Sequence, residues 1–205
     1  MKHRALDLSL LLVVLLGGIL ACHTGRQRSR LRGEYERLTR ITGELPIADA
    51  SKVYVRAMET GEKLHFAWRV YLPPNYQQVL WNSVGSRSTA WRSGSCDFVA
   101  RMRFRENEHG VLQVYSNFSG GSSCMDLGNR PLAELLHDQW DKIHVEQLGA
   151  NALVAIEPDQ SAVFLRLTLP EELQGEARAK LDPALQERFV PVLFELHLGA
   201  KASKP

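Results

Sequence analysis

From residue 51 onward, hydrophobic and polar residues alternate along several short stretches of the chain. In LHFAWRVYLP (64–73), one side is apolar and comprises Phe66, Trp68, Val70 and Leu72. In CDFVARMRFRENE (96–108), the apolar side comprises Phe98, Ala100, Met102 and Phe104. Because successive side chains of a strand point to opposite faces, the alternation predicts two strands that line a shared core.

Further strands are predicted wherever β-branched and aromatic residues cluster between turn signals. They are VYVRAM (53–58), VLQVYSNF (111–118), KIHVEQLG (142–149), ALVAIE (152–157), AVFLRLTLP (162–170) and FVPVLFELHLG (189–199). The segment SGGSSC (119–124) reads as a loop, and residues 76–91 show no regular pattern. EELQGEARAKLDPALQERF (171–189) predicts one or two short surface helices. Short strands at close spacing with local turns predict a mainly β fold, an antiparallel β-sandwich.

The N-terminal 25 residues predict a membrane anchor. Residues 8–25 are 18 positions without Asp, Glu, Lys or Arg. As a helix they cover roughly 27 Å, just under the ~30 Å core of a bilayer. We expect an uncleaved transmembrane helix, so that the lipid bilayer is one partner. Two alternatives stay open: Ile-Leu-Ala-Cys fits a bacterial lipobox with Cys22 as the lipidated residue, and the segment fits a cleaved signal peptide.

Residues 26–45 predict a basic amphipathic juxtamembrane helix. Its apolar positions, at helical spacing, are Leu31, Tyr35, Leu38, Ile41 and Leu45. Between residues 26 and 42, six arginines and two glutamates give a net charge of +4. The stripe suits a short coiled coil through which two copies self-associate. The alternative is a helix that rests against lipid headgroups.

Residues 46–199 predict the globular β-domain, and 200–205 a flexible tail. From residue 46 onward, 17 Lys and Arg face 19 Asp and Glu, a net charge of −2. The basic character therefore belongs to the short segment before the domain, and no nucleic-acid partner is expected. Arginines after the apolar run favour a cytoplasmic domain, whereas the short positive N-terminus favours the opposite side, so the orientation stays open.

The chain contains, in order, an apolar span, an Arg-rich short helix, DASKVYVRAMETGEKLHFAWRVYLPPNY (49–76) and FVARMRFRENEHGVLQV (98–114). In this order the chain resembles a group of uncharacterised single-span membrane proteins of planctomycete type, with FAWRVYLP as the most distinctive part. The resemblance implies an architecture and no catalytic residue.

The chain has no P-loop, dinucleotide fingerprint, HExxH, CxxC or GxSxG motif, and we expect neither a cofactor nor enzymatic activity. A weak candidate for a metal site lies in LLHDQWDKIH (135–144). If this segment is helical, His137, Asp141 and His144 share one face, which suits a transition metal. If residues 142–148 form a strand instead, the set is split.

Two groups of residues are candidates for ligand binding. Arg101, Arg103 and Arg105 lie on the polar side of the 96–108 strand, roughly 6.8 Å apart, where they could bind an extended anion. Alternatively they form an ordinary solvent face. Trp81, Trp91 and Tyr76 could stack on sugars or contact a partner, or they could be core and loop anchors.

Cys96 and Cys124 lie at the ends of two strands that a short turn joins. Their distances from this turn are compatible with one disulfide in an oxidising compartment. The alternative is a pair of free thiols.

Together these observations predict a non-enzymatic, membrane-tethered β-domain that binds a protein partner or scaffolds an envelope assembly. A binding module for cell-surface glycan or another polyanion is the alternative. A hydrolase whose site carries no recognisable motif is the third possibility.

Overall fold

The chain divides into a helical unit and a β-rich unit, residues 1–42 and 43–205. A computed structural model describes residues 2–127, 134–181, 183–187 and 189–200. The first unit consists of helix α1, Lys2–Thr42, with 41 residues. Within the residues described here, no helix reaches the length and apolarity that a membrane crossing needs.

Helix α1 contains the predicted span and the predicted juxtamembrane helix up to residue 42, three residues short of its predicted end. The predicted span 8–25 falls inside it, although the side chains of residues 8–16 lie outside the described part. Farther along, the predicted apolar stripe faces solvent, with exposed fractions of 67% at Leu31, 62% at Tyr35, 50% at Leu38 and 45% at Ile41. The helix ends at Thr42, and Gly43 follows with φ of 68°. Glycine adopts this left-handed conformation without a steric penalty.

The second unit is a mainly β, antiparallel two-sheet fold, as the alternating pattern predicts. Its described strands are β1 Val53–Met58, β2 His65–Leu72, β3 Gln77–Asn82, β4 Arg87–Trp91, β5 Cys96–Glu106, β6 Leu112–Phe118, β7 Gly121–Asp126, β8 His144–Gln147, β9 Val154–Ile156, β10 Ala162–Thr168 and β11 Val192–Ala200. Sheet A has the order β7-β6-β5-β2-β1-β9, and sheet B has the order β4-β3-β11-β10-β8.

The helices of the second unit are short. A single 3₁₀ turn spans Trp140–Lys142, α2 spans Glu171–Ala179 and α3 spans Pro183–Gln186. Helix α2 packs Leu173 and Ala177, four positions apart on one face, into the core. Both α2 and α3 fall in the segment for which short helices are predicted. Strand β11 reaches Ala200, so the predicted tail begins one residue later and lies outside the described part.

The core between the sheets confirms the predicted buried faces of β2 and β5. All eight apolar residues named for these strands belong to it or pack against it. Trp68 is fully buried, its ring centroid lies 4.6 Å from that of Phe164, and its indole N–H donates to the Leu148 carbonyl at 3.1 Å. A buried tryptophan needs such an acceptor, because an unpaired N–H in the core is costly.

The turn after β8 approaches β1 at Gly149. The Gly149 carbonyl accepts a hydrogen bond from the Ala57 N–H at 3.2 Å, and φ of Gly149 is 78°. A Cβ atom at this position would lie 2.9 Å from the Ala57 nitrogen and 2.9 Å from the Val55 oxygen. Glycine is therefore required here for two reasons, the backbone conformation and the close contact with β1.

Candidate functional site

A cleft of about 310 Å³ opens between the two sheets at the side where β3 and β4 lie over β6 and β7. Its floor is apolar and is formed by Leu80, Met102, Phe118 and Leu196. Its polar lining consists of Gln78, Asn82, Ser86, Ser88, Ser116, Ser122 and Ser123. Among the described residues that line it, only Arg87 carries an ionisable side chain. An apolar floor with a few oriented polar groups is the usual make-up of a binding pocket.

Gln78 carries the most informative polar group of the cleft. The residue is only 2% exposed, and its side-chain oxygen accepts a hydrogen bond from the Ser119 hydroxyl at 2.6 Å. Among the described residues, none accepts a hydrogen bond from its amide nitrogen. This nitrogen is also not among the described side-chain atoms that are both inaccessible to solvent and without a partner. Since buried polar groups normally have partners, the cleft presents a fixed N–H donor to whatever enters it.

The hairpin turn between β3 and β4 fixes one end of the cleft. The Asn82 side-chain oxygen accepts from the backbone N–H of Val84 at 3.1 Å and of Ser86 at 2.9 Å. Its amide nitrogen lies 3.3 Å from the Met125 sulfur on β7. Gly85 follows with φ of 88°, which the turn requires. Asn82 thus connects β3 of sheet B with β7, an edge strand of sheet A.

The arginine row, Arg101, Arg103 and Arg105, lies on the outer face of sheet A, as the alternation predicts. All three side chains are exposed, and Arg103 forms an ion pair with Glu62 at 2.9 Å. Directly opposite them on β6 lie the uncharged residues Asn117, Tyr115 and Gln113. The placement is confirmed, and the role in ligand binding stays a prediction.

The three aromatic candidates do not form one platform. Tyr76 is buried in the core, where burial raises the pKa of its hydroxyl to about 12, which fits the alternative that it is a core anchor. Trp81 and Trp91 share the outer face of sheet B, with Trp91 63% exposed. The β3–β4 register places their Cα atoms roughly 14 Å apart, too far for both rings to stack on one sugar. Trp81 instead stacks on His197, with ring centroids 5.0 Å apart.

A row of ion pairs crosses the outer face of sheet B. Arg166 donates to Glu195 at 2.9 Å and to Glu146 at 3.2 Å, and Glu195 also lies 2.6 Å from the His197 imidazole. Hydrogen bonds from Arg166, and then the charge of Arg166 and the contact with His197, lower the pKa of Glu195 below its ordinary value. This row joins β8, β10 and β11.

We expect the ion pairs of Glu195 to make the domain less stable in acid. A carboxyl group with a lowered pKa in the folded state stabilises the fold above its unfolded-state pKa, about 4.3 for glutamate. This contribution is lost as the pH falls through the lowered pKa. Unfolding in urea from pH 6 down to pH 3 should therefore show the difference between the native chain and Glu195→Gln shrinking below about pH 4. A difference independent of pH would contradict this linkage.

The weak metal candidate is not assembled. His144 lies on β8 and contacts Glu146 at 3.7 Å, whereas His137 binds Glu106 at 2.7 Å. The strand that begins at His144 separates it from Asp141, as the alternative interpretation of the sequence allows. Across the described part of the chain, no three His, Cys, Asp or Glu residues gather at a point that could hold a metal ion.

The predicted disulfide is wrong, since Cys96 and Cys124 are both free. Cys96 lies opposite Leu72 at one end of β5, whereas Cys124 lies on β7 opposite Tyr115. Tyr115 is in turn opposite Arg103, seven residues along β5 from Cys96. Seven residues along a strand and two strands across separate the cysteines by roughly 25 Å, far beyond disulfide reach.

Sequence reasoning did not find the cleft, because both of its edge strands were missed. The segment predicted to be a loop includes the first four residues of β7, and β3 and β4 occupy the stretch without a regular pattern. Polar residues face inward in both places, which hides the alternation. The one usable signal is NSVGS (82–86), whose asparagine, serines and glycine are residues that favour turns.

Comparison of the chain with models of protein families, with curated proteins and with solved structures found no match. The resemblance to single-span membrane proteins therefore stays a prediction, and the function has to be argued from the geometry of the cleft and of the strands that border it.

Proposed function

We propose that this chain is a membrane-tethered, non-enzymatic protein-binding module that takes up an extended segment of a partner protein along β7. The observation that carries the proposal is the cleft, in which the buried Gln78 amide offers N–H donors that no described residue accepts. A peptide carbonyl or a neutral polar side chain supplies the missing acceptor.

The edge strands of the two sheets differ in how they are protected against further pairing. Strand β9 has three residues, and β8 has four, including His144 and Glu146. Short length and charge are two devices by which proteins blunt sheet edges. Strand β7 has six residues, GSSCMD, without charge before Asp126, and β4 has five, with Arg87 as its charge. Among the strands that the structure describes, the two edges that border the cleft are thus the less protected ones.

Strand addition explains how the edge and the cleft would act together. A peptide that pairs with β7 gains main-chain hydrogen bonds, and every second side chain points to the inner side of sheet A. These side chains reach the cleft, whose apolar floor and neutral lining suit uncharged residues. Among the described lining residues, Arg87 alone has an ionisable side chain. These residues therefore include no acid–base pair of the kind that catalysis uses.

The tether and the helix support a role in assembly at a membrane. Residues 8–25 are free of Asp, Glu, Lys and Arg and suit an anchor. The exposed stripe of α1 suits self-association, which would present several clefts together. Extraction of native membranes with alkaline carbonate tests the anchor: the full chain should stay in the pellet, and its release would contradict a spanning helix.

Peptide selection tests strand addition directly. We expect random nine-residue peptides displayed on phage to yield binders when selected on the full chain in nanodiscs. N-methylation of a selected peptide at alternate residues should weaken binding on the order of tenfold, because each methyl group removes a main-chain hydrogen bond. Methylation at the intervening residues should have little effect. Hydrogen exchange should slow at 121–126.

Two pairs of variants serve as controls. Ser122→Lys adds a charge to the β7 edge and should abolish peptide binding, whereas Val145→Lys adds the same charge to β8 and should not. Gln78→Met keeps the shape of the side chain but removes the donor, so it should lower affinity with little change in stability. Ser119→Ala should preserve binding, since it leaves the Gln78 nitrogen in place. If methylation at the alternate residues and at the intervening residues weakened binding equally, strand addition would be refuted.

A module for neutral cell-surface glycan is a second candidate, and the exposed Trp91 ring favours it. Tryptophan rings stack on the apolar faces of sugars, and this site would lie on the outer face of sheet B, away from the cleft. Titration of the same nanodiscs with neutral oligosaccharides discriminates the two: binding that Trp91→Ala removes and Ser122→Lys leaves intact would support the glycan.

A further inference from the structure

We infer that the outer face of sheet A is a second binding surface, at which the arginine row of Arg101, Arg103 and Arg105 takes an acidic peptide in extended conformation. The peptide carries a carboxylate at every second residue. This surface lies on the opposite face of the sheet from the cleft, and the inference does not rest on strand addition at β7.

The arginine row is held on a rigid support. Strand β5 is paired on both sides, with β2 and with β6. Its alternate residues Ala100, Met102 and Phe104 are 0%, 1% and 4% exposed. This packing directs the three intervening arginines outward with a spacing of roughly 6.8 Å along the strand. The charges are therefore arranged before any ligand arrives, which lowers the entropic cost of binding.

The row keeps a surplus of positive charge. The carboxylates of this face already have partners: Asp97 accepts from Arg69 at 2.5 Å and 2.8 Å, and Asp126 accepts from Gln113 at 2.8 Å. Glu62 pairs with Arg103. Arg101 and Arg105 form no ion pair with any described residue. Two guanidinium groups, each with several N–H donors, are thus left for an external anion.

The neighbours of the row suit a peptide. Asn117 lies opposite Arg101, and Gln113 lies opposite Arg105. Asn117 already donates to Ser122, and Gln113 already donates to Asp126. Each amide nitrogen has a second N–H, which can bind a peptide carbonyl between two carboxylates. In an extended peptide, every second side chain lies on the same face, and these side chains are roughly 6.8 Å apart. The arginines of the row have the same spacing. This match of period favours an acidic peptide over an anionic polysaccharide.

Titration calorimetry on the full chain in zwitterionic nanodiscs tests the inference with two synthetic peptides. One alternates glutamate with threonine over eight residues, and its isomer carries the four glutamates in one block. We expect the alternating peptide to bind several-fold more tightly than its isomer. The double variant R101Q/R105Q should weaken its binding about fivefold, as two exposed ion pairs are lost. Raising the salt concentration to 1 M should weaken binding further.

The matched control K142Q/K180Q removes the same number of charges from exposed lysines outside the row and should leave the affinity unchanged. Gln78→Met should also leave it unchanged, which separates this surface from the cleft. Equal binding of the two isomers, or equal losses in the two double variants, would overturn the inference. Tighter binding of an anionic oligosaccharide of equal charge would overturn the assignment to a peptide.

Discussion

Replacing Trp68 with alanine should lower the free energy of unfolding by about 3–5 kcal/mol, the range measured for large aromatic residues in protein cores. Trp68 is 0% exposed, and its ring contacts those of Phe66 and Phe164. The substitution leaves a cavity between the sheets. It also leaves the Leu148 carbonyl without its indole donor. Urea unfolding of the full chain, followed by far-UV circular dichroism, measures the change.

The matched control is Trp91→Ala, which makes the same chemical change at a side chain that is 63% exposed. Surface substitutions of this kind usually change stability by less than about 0.5 kcal/mol. Equal losses in the two variants would mean that Trp68 does not lie between the sheets. The comparison also removes any general effect of losing a tryptophan from the unfolded chain.

Gly149→Ala should cost roughly 2–4 kcal/mol, since the left-handed backbone conformation and a steric clash act together. The new methyl group would meet backbone atoms of Val55, Arg56 and Ala57 at 2.9–3.0 Å. These backbone atoms belong to a strand inside a sheet, so they cannot move aside as the end of a flexible side chain can. Either the Ala57–Gly149 hydrogen bond breaks, or β1 is pushed away from Gly149 and its pairing with β2 is distorted.

Gly61→Ala provides the control, because Gly61 also has a positive φ, 68° against 78° at Gly149, but a methyl group there would have no neighbouring atom within 4 Å. It should cost only about 1 kcal/mol, the strain of a left-handed alanine. Thermal unfolding of both variants separates the conformational term from the steric one. Similar losses at Gly61 and Gly149 would show that the contact with β1 contributes nothing.

Sequence analysis predicts most clearly the strands in which each inward residue is apolar. Strand β5 places Ala100, Met102 and Phe104 inward and arginines outward, so its pattern is unambiguous. Strand β3 places Gln78 inward, and β7 places Ser123 inward, opposite Ser116. A polar inward residue breaks the alternation on which strand prediction depends. The inward polar groups of these strands form the candidate site, and the same groups prevented the strands from being predicted.

The disulfide prediction shows how a local error displaces a whole contact. The β5–β6 register does centre on the predicted turn, since Glu106 lies opposite Leu112 and Arg101 opposite Asn117. The error lies after Phe118, where the chain reverses again and pairs Phe118 with Gly121. Cys124 therefore lies on a third strand, β7. Nothing in a serine- and glycine-rich segment distinguishes a tight hairpin from a loop of the same length.

The order of strands in sheet B sets the time at which the domain can fold during its synthesis. Strand β11 is the last strand described along the chain, yet it lies between β3 and β10. Until the ribosome has released residues 192–200, the β3–β4 hairpin has no neighbour within its own sheet. The meander of β5, β6 and β7 needs only local contacts and can form earlier. A nascent chain stalled before residue 192 would therefore expose the apolar inner face of sheet A to chaperones.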